Sequence, residues 1–366
     1  MSVLLDPTQL GALKLKNRIV MAPLTRCRAD YQRVPNDLMR EHYEMRASMG
    51  LIISEATAVD PMGVGYPRTP GIWNEAQVKG WRKITDAVHA KGGLMILQLW
   101  HVGRVSHPFY LNDALPVAPS AIAAKGRVSL MRPEQAYVVP RALETHELAD
   151  VVNSFRLGAQ NAKAAGFDGV LIHGANGYLL DQFLCSGTNL RTDQYGGSLI
   201  NRARLPLEVA DVVIDVWGAD RVGYHISPRG QSHDMVDANP IETFGFLTQE
   251  LFKRGLGFLS IRESLGEGRI GDQLKKIFKG AVIANEKLTR DSAIDLINKQ
   301  EADAVAFGVM SISNPDLVHK LANSLPLTPP NPSTFYNQTS YLFDQAEPMP
   351  AQGFYETDRR GYTDLT

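Results

Sequence analysis

The sequence predicts an α/β protein, a closed (β/α)8 TIM barrel. Short runs rich in Val, Ile and Leu recur along the chain, and each ends in a polar or glycine cluster. Amphipathic stretches of helical period separate them. Strands alternating with helices imply parallel pairing through crossovers, and eight such units close a barrel.

In order, the runs are IVMAP (19–23), GLIISEA (50–56), LMILQLWH (94–101), GVLIHGA (169–175), RVGYHISP (221–228), FLSIRE (258–263), AVIAN (281–285) and AVAFG (304–308). Helices are expected at 76–91, 147–165, 202–217, 240–254, 289–298 and 314–322. Strands covered on both faces should be apolar throughout, and most of these are. Three segments stand outside the repeat. Residues 2–17 suit an N-terminal hairpin that plugs the bottom of the barrel. Residues 102–146 form a long excursion after the third strand, capping the barrel top. Residues 324–366, rich in Pro, Asn, Gln and Tyr, form an extended irregular tail. Residues 1–366 therefore read as one barrel domain.

Composition excludes several functions. The chain has 366 residues, a net charge of −1 and 44% hydrophobic residues. Near-neutral charge gives no footprint for nucleic acid or an anionic membrane. No stretch approaches ~18 consecutive apolar residues, so no membrane span is expected. The start, MSVLLDPTQLG, lacks the pattern of a signal peptide. Cys27 and Cys185 make neither a disulfide framework nor a metal set, so no metal and a cytoplasmic location are expected. Monomer and homodimer stay open.

Polar residues gather where the apolar runs end: Pro23-Leu24-Thr25, Glu55, Gln98 with His101, His173, His225, Arg262-Glu263, Asn285 and Gly308. In barrel enzymes that end of the strands carries the active site. The fourth run is the most informative, because His173, Asn176 and Tyr178 follow it in LIHGANGY. An imidazole and an amide are both donors and together can grip one oxygen atom. Such a pair polarises a carbonyl or nitro group. Tyr178, with an ordinary pKa near ~10, can deliver a proton at neutral pH. The same three residues also suit a strand-ending histidine, a turn asparagine and a packed tyrosine; their place at the top of a barrel strand favours chemistry.

HGANGYLLDQF followed by TNLRTDQYGGSLINRARLPLEV closely resembles the old yellow enzyme family of flavin-dependent ene-reductases. MAPLTR (21–26), GYPRTPGIW (65–73), QLWHVGRVSHP (98–108), ADAVAFG (302–308) and the terminal GYTD (361–364) match in family order. The resemblance covers nearly the whole chain. It implies FMN across the barrel mouth, NADPH or NADH as reductant, and an activated alkene or nitro compound, with nitrate esters as further substrates. His173 and Asn176 would hold the substrate oxygen and Tyr178 would protonate the α-carbon. Thr25 would bond the flavin O4. Pro23, Leu24, Ala56, Gln98, His225, Asn285, Gly308 and Val309 would line or bind FMN. Tyr66 and Trp100 would shape the substrate pocket. Arg191, Asp193 and the 195–198 run read as structural, organising the loop after the catalytic segment.

The chain departs from this pattern around the cofactor. His225 stands where many members have an arginine beside the flavin N1–C2=O2 edge, so it would serve there only partly, or in a pH-dependent way. Arg229 is a candidate to compensate, or an ordinary loop arginine. Asn285 and Glu286 replace small residues near the phosphate, and Val309 replaces an arginine. Backbone N–H groups of Gly308 and Val309 can still bind phosphate, with Arg18 or Lys276 as candidate sources of charge. The tail offers two tyrosines for the family's C-terminal aromatic. Tyr355 stands at the family spacing from Gly361 and is favoured; Tyr336 lies in the family-like context NPSTFY. Two other functions stay open: a flavin-free isomerase or lyase using the same His/Asn/Tyr site, and a binding protein that keeps only the oxygen grip.

Overall fold

A computed structural model describes residues 2–131, 133–336, 359 and 361–364. Eight parallel strands close a barrel: Ile19–Met21, Leu51–Ile53, Met95–Trp100, Gly169–His173, Val222–Ile226, Phe258–Arg262, Ala281–Asn285 and Ala304–Phe307. Each pairs with the next in sequence, and the eighth pairs with the first through Val305↔Ile19. A short strand, Thr57–Ala58, prolongs the second along the third.

Strands this short close a barrel because both faces are apolar. One face packs into the interior: Val20, Leu51, Ile53, Ile96, Leu171, Phe258, Ile283 and Ala304 form one cluster. Leu10, Leu13 and Leu15 complete that cluster. They come from the expected plug, an antiparallel hairpin of Thr8–Leu10 and Leu13–Leu15. The Ala12 N–H donates to the Asp220 carbonyl at 2.8 Å, just before the fifth strand, which fixes the plug at the N-terminal end. The site must then open at the other end.

The other strand face packs on the helices. Glu75–Ala90 begins in a capping box of Asn74 and Gln77, and Arg290–Asn298 in one of Thr289 and Ser292. Leu148–Ala164, Arg204–Trp217, Pro240–Lys253 and Leu317–Ala322 lie within a few residues of expectation. Two crossover helices, Asp37–Glu44 and Gly271–Phe278, had not been anticipated. Both are two turns long and rich in charge, so too few apolar positions recur to reveal the period.

The excursion after the third strand is held by a parallel pairing of Val117–Ala118 with Arg141–Ala142. Its Val102, Val105, Ala124, Val128, Met131 and Tyr137 pack on Ala56, Tyr66 and Trp100 at the barrel top. Arg191 and Asp193 tie the loop after the fourth strand to this excursion. They pair with each other, Arg191 donates to the Pro119 carbonyl, and Asp193 accepts from Thr145. In the described tail, Tyr362 is fully buried and stacks on His42 at 4.0 Å, with the Arg26 and Arg28 guanidiniums over its ring. Arg26 donates to the Phe335, Thr334 and Gly361 carbonyls, so the two ends of the tail meet at the loop after the first strand. No helix among the described residues is long and apolar enough to cross a membrane.

Candidate active site

A cavity of about 480 Å³ opens at the C-terminal ends of the strands. Its wall takes residues from every strand end. Pro23, Leu24 and Thr25 follow the first strand and Ala56 the second; Gln98 comes from the third. His173, Asn176 and Tyr178 come from the fourth, His225 from the fifth and Arg262 from the sixth. Asn285, Glu286 and Lys287 end the seventh, and Gly308 and Val309 the eighth. Tyr66 and Tyr336 complete the wall. Trp100 lies behind it, fully buried, with ring contacts to Tyr66 at 5.4 Å and Tyr178 at 5.1 Å. It shapes the pocket through those two rings. Tyr355 lies outside the described residues.

The HGANGY turn has local causes. At Gly174 a Cβ would stand 2.2 Å from the Tyr224 ring, so no larger residue fits. Asn176 and Gly177 both take the left-handed conformation, at φ 58° and 77°, which asparagine and glycine tolerate best. The buried Asp181 carboxylate accepts the Gly177 N–H at 2.8 Å, and Gln182 donates to the Gly177 carbonyl. Ser227 Oγ accepts the Asn176 N–H at 2.7 Å, and His233 Nδ1 donates to the Asn176 carbonyl at 2.9 Å. The backbone of Asn176 is therefore fixed from both sides.

Burial governs the charge of the site. The His173 imidazole is held well below its ordinary range, first by burial and then by His225 and the Arg262 cation. Its Nδ1 is buried without a partner among the described residues. His225 is pushed down to about 3 by burial and by Arg262. Both are neutral at pH 7. Sequence pattern had suggested that the charge of His225 would depend on pH. In the structure burial and the Arg262 cation hold it far below neutrality. A neutral His225 accepts from Gln98 Nε2 at Nδ1 over 3.1 Å and keeps its own proton on Nε2. The Tyr66 and Tyr178 phenols are both pushed up, chiefly by burial, and their hydroxyls are hydrogen-bonded at 2.9 Å.

Three suggested sources of positive charge lie elsewhere. Arg229 pairs with Glu263 at 2.7 Å and donates to the Glu267 and Ser264 carbonyls, away from the cavity. Arg18 donates to the Asp303 carbonyl, just ahead of the first strand. Lys276 is exposed beside Asp272. The cations on the wall are Arg262 and Lys287. Arg262 was visible in sequence as the polar end of the sixth run, but no pattern marked it as facing inward. Lys287 is exposed, has no partner among the described residues, and follows Glu286 through two positive φ angles, 112° and 51°. Glu286 turns its carboxylate onto Arg262.

These residues fit a flavin nucleotide. The Thr25 hydroxyl has no partner among the described residues, and the first N–H groups of the short helix Val309–Ser313 are open, as helix starts leave them. Gln98, the neutral His225 and Thr25 offer donors toward a polar ring edge. Lys287 with the N–H groups after the eighth strand offers a phosphate cradle. Among the described residues no group of His, Cys, Asp and Glu could hold a metal ion.

Comparison with known proteins agrees with this geometry. The model of the NADH:flavin oxidoreductase / NADH oxidase family matches residues 3–328. The chain is 42% identical to a probable flavin mononucleotide-dependent alkene reductase of Leishmania infantum, over 91% of this chain and 94% of that protein. It is 42% identical to 12-oxophytodienoate reductase 1 of Oryza sativa subsp. japonica, over 92% and 90%. Among solved structures, an old yellow enzyme homologue from Zymomonas mobilis superposes with a TM-score of 0.89 at 40% identity, covering 92% of this chain and 98% of that one. Morphinone reductase in complex with tetrahydroNAD gives 0.88 at 44%, covering 94% and 99%. The chain belongs to the old yellow enzyme family of FMN-dependent oxidoreductases.

Proposed function

We propose that the protein is an NAD(P)H-dependent ene-reductase that uses FMN to reduce activated C=C bonds of α,β-unsaturated carbonyl and nitro compounds, with nitrate esters as further substrates. One observation carries this reading: His173, Asn176 and Tyr178 meet in the same cavity as Thr25, Gln98, His225 and Gly308. Bound FMN would take a hydride from NAD(P)H and give one to the β-carbon of the alkene.

The chain's own residues do the rest. Neutral His173 and the Asn176 amide donate to the substrate's carbonyl or nitro oxygen and stabilise negative charge that develops there. Removing one comparable donor costs about 10²–10³ in rate in other enzymes. Tyr178 holds a proton that burial keeps in place, and its hydroxyl delivers it to the α-carbon. Tyr66, bonded to Tyr178, steadies the phenolate left behind. The apolar wall with few fixed polar groups suits a range of small electrophilic alkenes. NADPH is the preferred reductant by resemblance.

The test is reconstitution with FMN followed by turnover of cyclohexenone with NADPH. Strict dependence on both cofactors supports the proposal. Turnover that persists without either supports the flavin-free isomerase, for which neutral His225 and Val309 in place of an arginine are the favouring observations.

A further inference from the structure

Arg262, the last residue of the sixth strand, extends its guanidinium two ways. Nη1 donates to Asn176 Oδ1 at 2.8 Å, and Nε donates to Glu286 Oε2. Glu286 is itself held at φ 112°, a backbone conformation that side chains other than glycine rarely adopt. The turn after the seventh strand thus keeps a carboxylate in place beside Arg262.

The consequence falls on Asn176. A side-chain amide offers an acceptor on one side and donors on the other, and rotation by a half turn exchanges them. Only one of the two orientations is useful here, because a substrate oxygen needs a donor. Ser227 and His233 fix the backbone of Asn176 but leave this rotation free. Arginine can only donate. Its bond to Oδ1 therefore selects the orientation that leaves Nδ2 for the cavity. A charged donor on Oδ1 also polarises the amide and strengthens Nδ2–H as a donor. Glu286 fixes the guanidinium plane and balances its charge.

We propose that Arg262 is a positioning residue: together with Glu286 it holds the Asn176 amide with its N–H groups toward the substrate oxygen. The inference rests on the ene-reductase reading of the cavity. Neither residue belongs to the recognised motifs; Arg262 ends the sixth strand, beside the fifth, and Glu286 follows the seventh, beside the sixth.

The test is a double-mutant cycle on the FMN-loaded protein with Arg262→Met, Asn176→Ala and the combination, plus Glu286→Gln. The equilibrium dissociation constant for cyclohexenone on oxidised enzyme is read from the flavin absorbance. Arg262→Met should weaken binding about tenfold. In the Asn176→Ala background the same change should alter it by less than about twofold, because the group it acts through is gone. Glu286→Gln, which alters one charge at constant shape, should give an intermediate loss and serves if Arg262→Met does not fold. Unchanged binding in Arg262→Met, or a full effect persisting without the Asn176 amide, overturns the inference while leaving the ene-reductase standing. A wild-type protein that takes up no FMN overturns both.

Discussion

The hydroxyls of Tyr66 and Tyr178 meet at 2.9 Å inside a cluster of rings that includes Trp100 and His173. One hydroxyl must donate to the other; both line the cavity, and Tyr178 is the one in ring contact with His173, which makes it the proposed proton donor. Tyr178→Phe should slow the flavin-to-alkene step by about 10²–10⁴-fold. Tyr66→Phe should slow it by about tenfold. Stopped-flow traces of flavin reoxidation by cyclohexenone measure both. Equal rates in wild type and Tyr178→Phe would remove Tyr178 as the donor.

Burial raises the Tyr178 pKa, so this acid stays protonated well above neutral pH. His173 and His225 are neutral throughout the same range. With these three side chains fixed in protonation state, and with Asp181 beneath the Gly177 turn pushed up to about 7 by burial, the reoxidation rate should vary by less than about tenfold between about pH 6 and about pH 9. A rise or fall of tenfold within that window would show a titrating group in the site.

Buried histidines make the fold sensitive to acid. An unfolded chain returns them to about 6.5, whereas folding holds His225 at about 3 and His101 at about 4. Below about pH 6.5 the unfolded state binds protons that the folded state refuses. Stability is then complete above that pH and is lost as pH falls toward the folded values, by up to about 1.4 kcal/mol per pH unit for each histidine. Urea unfolding at about pH 7.5 and about pH 5 reads the slope, and His225→Gln should make it shallower.

Lys287 and the backbone N–H groups after the eighth strand are the proposed hold on the cofactor's phosphate, with Val309 where the family resemblance implies an arginine. Lys287→Ala should weaken FMN binding about tenfold, and Val309→Arg should tighten it by a similar factor. Fluorescence titration of FMN gives both constants. If neither change moves the constant, the phosphate lies elsewhere.

The C-terminal anchor is a packing device. Tyr362 is fully buried between His42 and two arginines, so Tyr362→Ala should cost about 3–5 kcal/mol in urea unfolding. Because Arg26 holds both Phe335 and Gly361, the variant should also loosen Tyr336 on the cavity wall.

The barrel was legible in sequence because its evidence is repeated. Eight apolar runs with polar ends report one architecture, and LIHGANGY at the fourth end locates the site. Asp37–Glu44 and Gly271–Phe278 were not legible, since two charged turns show no period. Arg262 was visible as a polar strand end, yet its direction depends on Glu286 and Asn176, which are distant in sequence. Arg18, Arg229 and Lys276 show the converse: composition offered cations, and the fold committed them to carbonyls and carboxylates. Tyr336 illustrates the limit of spacing. Counting back from Gly361 favours Tyr355, which lies outside the described residues, while Tyr336 stands on the cavity wall.

The most direct measurement of the central claim is the visible spectrum of the FMN-reconstituted protein, taken anaerobically through one cycle. A bound-flavin band should bleach with one equivalent of NADPH and return when cyclohexenone is added. A protein that binds no FMN, or whose reduced flavin is unchanged by cyclohexenone, would contradict it.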